Sequence, residues 1–150
     1  MLWSQDWVWS LPLIVLTTVI HVIVLSFASA KGIEKLGLPG RRGESLFKYC
    51  VVIGTITFLA TLLLAVESGL WAMAYHRVGA LPDFESAMLY SLGAITSYGH
   101  ADVFLAHQWR LMGALEALNG IILFGLTTAF FFSIIQAVRP IERRRVGAGR

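Results

Sequence analysis

The stretch Leu81 to His100 reads LPDFESAMLYSLGAITSYGH, and the fold depends on how far these residues enter a membrane. Pro82-Asp83 is a helix-start signal: Asp83 is suited to the N-cap, and Glu85 lies where negative charge favours the positive end of the helix dipole. The apolar part that follows, Ala87 to Ile95, is too short to cross a bilayer, which needs about 20 residues. The pattern predicts a short helix over 83–94 that dips in and returns, with a turn over 95–100 behind it. Non-helical backbone at membrane depth survives only where protein or a water-filled cavity covers it. That makes the turn a candidate pore lining; the other reading open here is an amphipathic surface helix in an ordinary loop.

Three longer apolar runs surround this stretch. Leu11 to Ser29 holds 19 residues without a charge, roughly 28 Å of helix at about 1.5 Å per residue. A second run covers 49–75, interrupted by Glu67 and two glycines, and a third covers 111–138, with Glu116, Asn119 and Gln136 as its strongly polar members. Composition agrees: 57% of the 150 residues are hydrophobic, 14% are charged and the mean hydropathy is +0.71, whereas a soluble domain carries about a quarter charged residues. A single cysteine, Cys50, rules out a disulfide framework. The fold class expected is an all-α membrane protein, one domain of three transmembrane helices plus one re-entrant helix and its loop.

Orientation follows from the basic residues. Lys31, Lys35, Arg41, Arg42 and Lys48 fall between the first two runs, in a loop over 31–48. Arg139, Arg143, Arg144, Arg145 and Arg150 follow the third, in a tail over 139–150; only Arg77 and Arg110 lie on the other side. By the positive-inside rule the N-terminus and the re-entrant stretch face outward, and the loop and tail are cytoplasmic, in the cell (inner) membrane. Trp3, Trp7 and Trp9 then fit the outer interfacial belt. The net charge of +3 and pI near 9.4 suit anionic lipids. The basic residues do not interleave with aromatics along a polar face, so no nucleic-acid partner is expected. Ala28-Ser29-Ala30 has the form of a signal-peptidase site, but the leading decapeptide carries Asp6 and no positive charge, and cleavage would place the basic loop outside.

The order outer helix (49–75), short dipping helix (83–94), Ser/Thr/Tyr/Gly turn and long inner helix (111–138) resembles the pore domain of the potassium-channel superfamily. Ile95-Thr96-Ser97-Tyr98-Gly99 sits where that family has its TVGYG filter, and His100 where an Asp usually follows. The run Gly113-Ala-Leu-Glu-Ala-Leu-Asn-Gly120 is similar to small bacterial ion-channel proteins that carry an extra helix before the pore domain. The resemblance implies a homotetramer around a central axis, passing monovalent cations, potassium foremost, with no cofactor and no catalytic residue. In such a filter backbone carbonyls replace the ion's water, and the short helix aims its partly negative end at the ion.

The turn departs from that pattern. Aligned without a gap, Ile95 stands where the family has a hydroxyl-bearing Thr, and Ser97 where it has a glycine. Alternatively Thr96 keeps the hydroxyl role and the filter is one residue short. Either way strict potassium selectivity does not follow, and a weakly selective cation pore with Thr96 or Ser97 oxygens on the axis is equally compatible. His100 and Asp102 would ring the outer mouth: Asp102 would concentrate cations and His100 would make conductance sensitive to external acid.

Ionisable groups inside spans are costly enough to mark function. Glu67 is expected to bond the backbone or hydroxyls behind the filter, and Glu116 with Asn119 to brace the short helix or face water. His21 reads as a core residue bonded to a neighbour. Gly113, Gly120 and Gly125 permit either a bend or close packing, and Phe130, Phe131 and Phe132 are candidates for a hydrophobic constriction; Gly120, Gly125, Phe130 and Phe131 are the gate or hinge candidates. Two other classes compete with the channel. One is a non-conducting structural or accessory membrane protein with a degenerate filter. The other is a metalloprotein using His76, His100, Asp102 and His107, although their spacing matches no standard metal site. No nucleophile with a base partner, phosphate loop or catalytic carboxylate pair is found, so an enzyme is not expected.

Overall fold

A computed structural model describes residues 3–36, 42–99 and 102–147. Among these every regular element is helical: α1 (Trp3–Leu36), α2 (Arg42–Arg77), α3 (Phe84–Ile95), a 3₁₀ turn at His107–Trp109, and α4 (Arg110–Gly147). Within α1, α2 and α4 the stretches Gln5–Lys31, Tyr49–Arg77 and His107–Gln136 are long and apolar enough to cross a membrane.

All three long helices outrun the apolar segments that predict them. α1 begins eight residues before Leu11, α2 begins within the expected basic loop, and α4 runs through most of the expected tail. The reason is that helix hydrogen bonding is a backbone property and does not stop where the apolar residues do. Pro12 inside α1 is tolerated, as prolines in membrane helices often are. Hydroxyls on the outer surface of α2 are satisfied locally. Thr55, Thr57 and Thr61 each donate to the carbonyl four residues earlier, at 2.8, 2.9 and 3.0 Å, which lets exposed threonines face lipid without a stranded donor.

The chain forms two compact units. The first comprises Met1–His21 with Leu62–Phe124, and the second Val22–Thr61 with Gly125–Arg150. The core of the first unit joins Trp71, Ala72 and Tyr75 of α2 to Ala87 of α3 and to Leu105, Trp109 and Met112. Tyr75 meets Tyr90 edge-on, with centroids 5.4 Å apart at 84°. The second unit centres on Val52, Ile56 and Ile134, against which Ala28, Ile53 and Phe131 pack.

Between α2 and α3 the chain reverses sharply. Ala80 donates its N–H to the Tyr75 carbonyl and Gly79 donates to His76, while Gly79 takes φ +68°. This is the double closure that glycine makes accessible just past a helix end, and it delivers the chain directly to the Asp83 cap of α3.

Candidate functional site

α3 is bounded by identifiable chemistry at both ends. Asp83, with extended backbone, accepts from the Ser86 backbone N–H at 2.7 Å and from the Ser86 hydroxyl at 2.8 Å. The backbone N–H bond, then the hydroxyl, holds the Asp83 carboxyl below its ordinary range. At the far end, Thr96 N–H bonds Leu92, Ser97 N–H bonds Ala94 and Gly99 N–H bonds Gly93. The Thr96 hydroxyl also donates to the Leu92 carbonyl, at 2.5 Å.

This closure involves the first residues of the expected five-residue filter. Ile95 is the last residue of α3 and is buried, Thr96 is its C-cap, and Ser97 stands at φ 56°, the left-handed position that usually follows a helix and usually holds glycine. The amides of Thr96 and Ser97 complete the helix end by pairing with the carbonyls of Leu92 and Ala94. Tyr98 is 91% exposed, and Gly99 has φ +88°. A groove of about 350 Å³ runs beside them, lined by Leu89, Leu92, Gly93, Thr96, Tyr98, Gly99, Asp102 and Val103. Asp102 is exposed; His100, its expected companion at the mouth, lies outside the described residues.

Behind α3 lies a buried polar cluster. The Tyr75 hydroxyl donates to Glu116 Oε2 at 2.6 Å. The Ser91 hydroxyl reaches two acceptors, Glu116 Oε1 and the Ser68 carbonyl, the latter at 2.8 Å. Glu116, Ser91, Ser68 and Tyr75 are all fully buried. Glu116 therefore ties α4 to α2 and, through Ser91, to the middle of the short helix.

Two expectations require correction. Glu67 does not bond the backbone or hydroxyls behind the turn: both its oxygens meet His21 Nδ1 of α1, at 3.0 and 3.2 Å, and both residues are fully buried. Asn119 likewise donates to Thr17 of α1, at 2.8 Å, and not to α3. Sequence reasoning missed Thr17 and Asp6; the latter, 2% exposed, accepts from the Met112 backbone N–H at 3.2 Å. The available signal was a buried-face spacing: Asp6, Ser10, Thr17 and His21 recur at helical intervals, so the polar stripe of α1 faces inward.

Gly120 is a packing position. A Cβ there would overlap the Ile95 carbonyl oxygen and come within 2.7 Å of its carbon, whereas a Cβ at Gly125 meets nothing within 4 Å. Phe131 packs on the Val52, Ile56 and Ile134 cluster, Phe130 is half-buried and Phe132 is exposed, so Phe131 is turned into helix packing. Among the described residues no three His, Cys, Asp or Glu side chains gather as metal ligands.

A family model described as "Ion channel" matches residues 51–137, more than half of the chain. No curated protein and no solved structure matches it.

Proposed function

The chain belongs to the ion-channel family, and from that premise we propose that it is a pore-loop cation channel, four copies surrounding one conduction path. As a member of that family it is a membrane protein that transports and does not catalyse. The observation that carries the proposal is the exposed turn: a helix too short to span leads into Thr96–Gly99, with Tyr98 91% exposed beside an open, largely apolar groove. Neighbouring copies would cover that surface and place the turn on the axis.

The helix closure supports the shorter register, in which Thr96 to Gly99 supply the ligands and Ile95 does not. Fewer equivalent oxygen rings discriminate less between ions of one charge, so the channel passes monovalent cations, potassium included, with weak selectivity. The basic flanks favour an orientation with the turn outside and the connecting loop and tail in the cytoplasm. Lipid and further copies of the chain are the only partners this function requires.

The test is reconstitution into sealed vesicles, with potassium and sodium flux measured separately. Flux of both, potassium somewhat faster, is expected. A second reading, a non-conducting membrane protein, is favoured by Ser97 capping the helix where the family has a filter glycine; absence of flux for either ion would select it.

A further inference from the structure

The matched region begins at residue 51 and leaves α1 without an assigned role. Yet α1 carries buried polar side chains, and two of them open routes that end on the same short helix. His21 meets Glu67 at 3.0 Å; the next residue, Ser68, accepts through its carbonyl from Ser91 of α3 at 2.8 Å. Thr17 accepts from Asn119 at 2.8 Å; the next residue, Gly120, lies so close to Ile95 of α3 that a Cβ would overlap its carbonyl. The Asn119 side-chain oxygen has no partner among the described residues, so Thr17 is the polar hold on that amide. Ser91 and Ile95 are two of the points at which α2 and α4 hold α3, and Ile95 immediately precedes the proposed conduction turn.

We propose that α1 seats the short helix: through His21–Glu67 and Thr17–Asn119 it fixes the height and rotation of α3, making Thr17 and His21 positioning residues for ion selection. This rests on the conduction role given above to Thr96–Gly99. A membrane anchor needs none of this, since an anchor is satisfied by apolar residues, and the outward face of α1 (Val8, Leu11, Val15, Val19, Ile23) already supplies them. Polar side chains buried between membrane helices are costly unless paired, and here each bonded one is paired with a residue adjacent to a contact on α3.

The experiment uses the full-length protein. Thr17→Val is nearly isosteric and releases Asn119; His21→Leu strands Glu67, and His21→Gln keeps a donor in its place. In reconstituted vesicles Thr17→Val and His21→Leu should shift the potassium-to-sodium flux ratio by about threefold to tenfold, the scale of one buried hydrogen bond, and His21→Gln should restore it. A ratio that stays at the native value in both variants, whatever happens to the yield of assembled protein, overturns the proposal. Should the native protein carry no flux, the conduction reading fails separately and the seating is read another way. Ser97→Cys in a Cys50→Ser background is labelled with a maleimide in detergent. A labelling rate changed about tenfold by Thr17→Val supports the seating, and an unchanged rate overturns it.

Discussion

Glu116 is held by shape as much as by charge. The Ser91 hydroxyl has one hydrogen and two acceptors, while Tyr75 supplies a second hydrogen to the same carboxyl group. Glutamine at 116 can donate to Ser91 Oγ and accept from Tyr75, leaving the Ser91 hydrogen for Ser68. Glu116→Gln is therefore expected to keep native flux and thermal stability, whereas Glu116→Leu strands the buried Tyr75 hydroxyl at a cost of about 1–3 kcal/mol and leaves Ser91 only the Ser68 carbonyl. Unfolding midpoints of the two variants in detergent check this. Gly120 and Gly125 separate packing from bending in the same manner. Gly120→Ala drives a Cβ into the Ile95 backbone, which cannot move as a side-chain tip could, and should destabilise by about 1–3 kcal/mol with loss of flux. Gly125→Ala meets open space and should stabilise α4 by about 0.5–1 kcal/mol. A gating defect in Gly125→Ala without loss of stability would mark a hinge there.

At the scale of elements, α3 was the most legible part of the sequence. Pro82-Asp83 set its start, and the apolar run too short to span set its length. Its end fell within one residue of the expected position, but the bonds that close it were not legible, because Thr96, Ser97 and Gly99 cap carbonyls that only the folded helix leaves unpaired. The partners of Glu67 and Asn119 were hidden for a different reason: His21 is 46 positions from Glu67, and Thr17 is 102 from Asn119, so no local spacing connects them. The cap of α3 gives a pH prediction. Asp83 has its pKa lowered in the folded protein by the Ser86 N–H. Its stabilisation is present above the ordinary Asp value of about 3.9 and is lost as pH falls through the lowered one. Asp83→Asn keeps the acceptor but does not titrate, and should remove this part of the acid dependence of the unfolding midpoint. Asp83→Ala should lower the midpoint at neutral pH and likewise remove that dependence.

For the whole molecule, the exposed apolar residues of the first unit define what assembly must cover. Leu89 at 62%, Tyr98 at 91% and Phe104 at 66% exposure belong to the segment that includes the turn, and α4 adds Leu118, Ile121 and Ile122. A lipid-facing helix tolerates such residues; on the proposed channel reading the turn lies at membrane depth, where protein or a water-filled path must cover it, and neighbouring chains would provide both. The protein in mild detergent should accordingly have four times the 16.6 kDa mass of one chain. In the proposed tetramer each charge at the outer mouth would be multiplied. Four Asp102 carboxylates would attract cations to the opening, and His100, two residues earlier in sequence, would gain positive charge as the external solution is acidified through the usual imidazole range. Protonated His100 opposes the Asp102 field, so flux through native protein should fall as external pH is lowered from roughly 8 to roughly 5.5. His100→Gln should accordingly flatten the response between those limits. A response of undiminished size in His100→Gln would assign the proton sensitivity to another group.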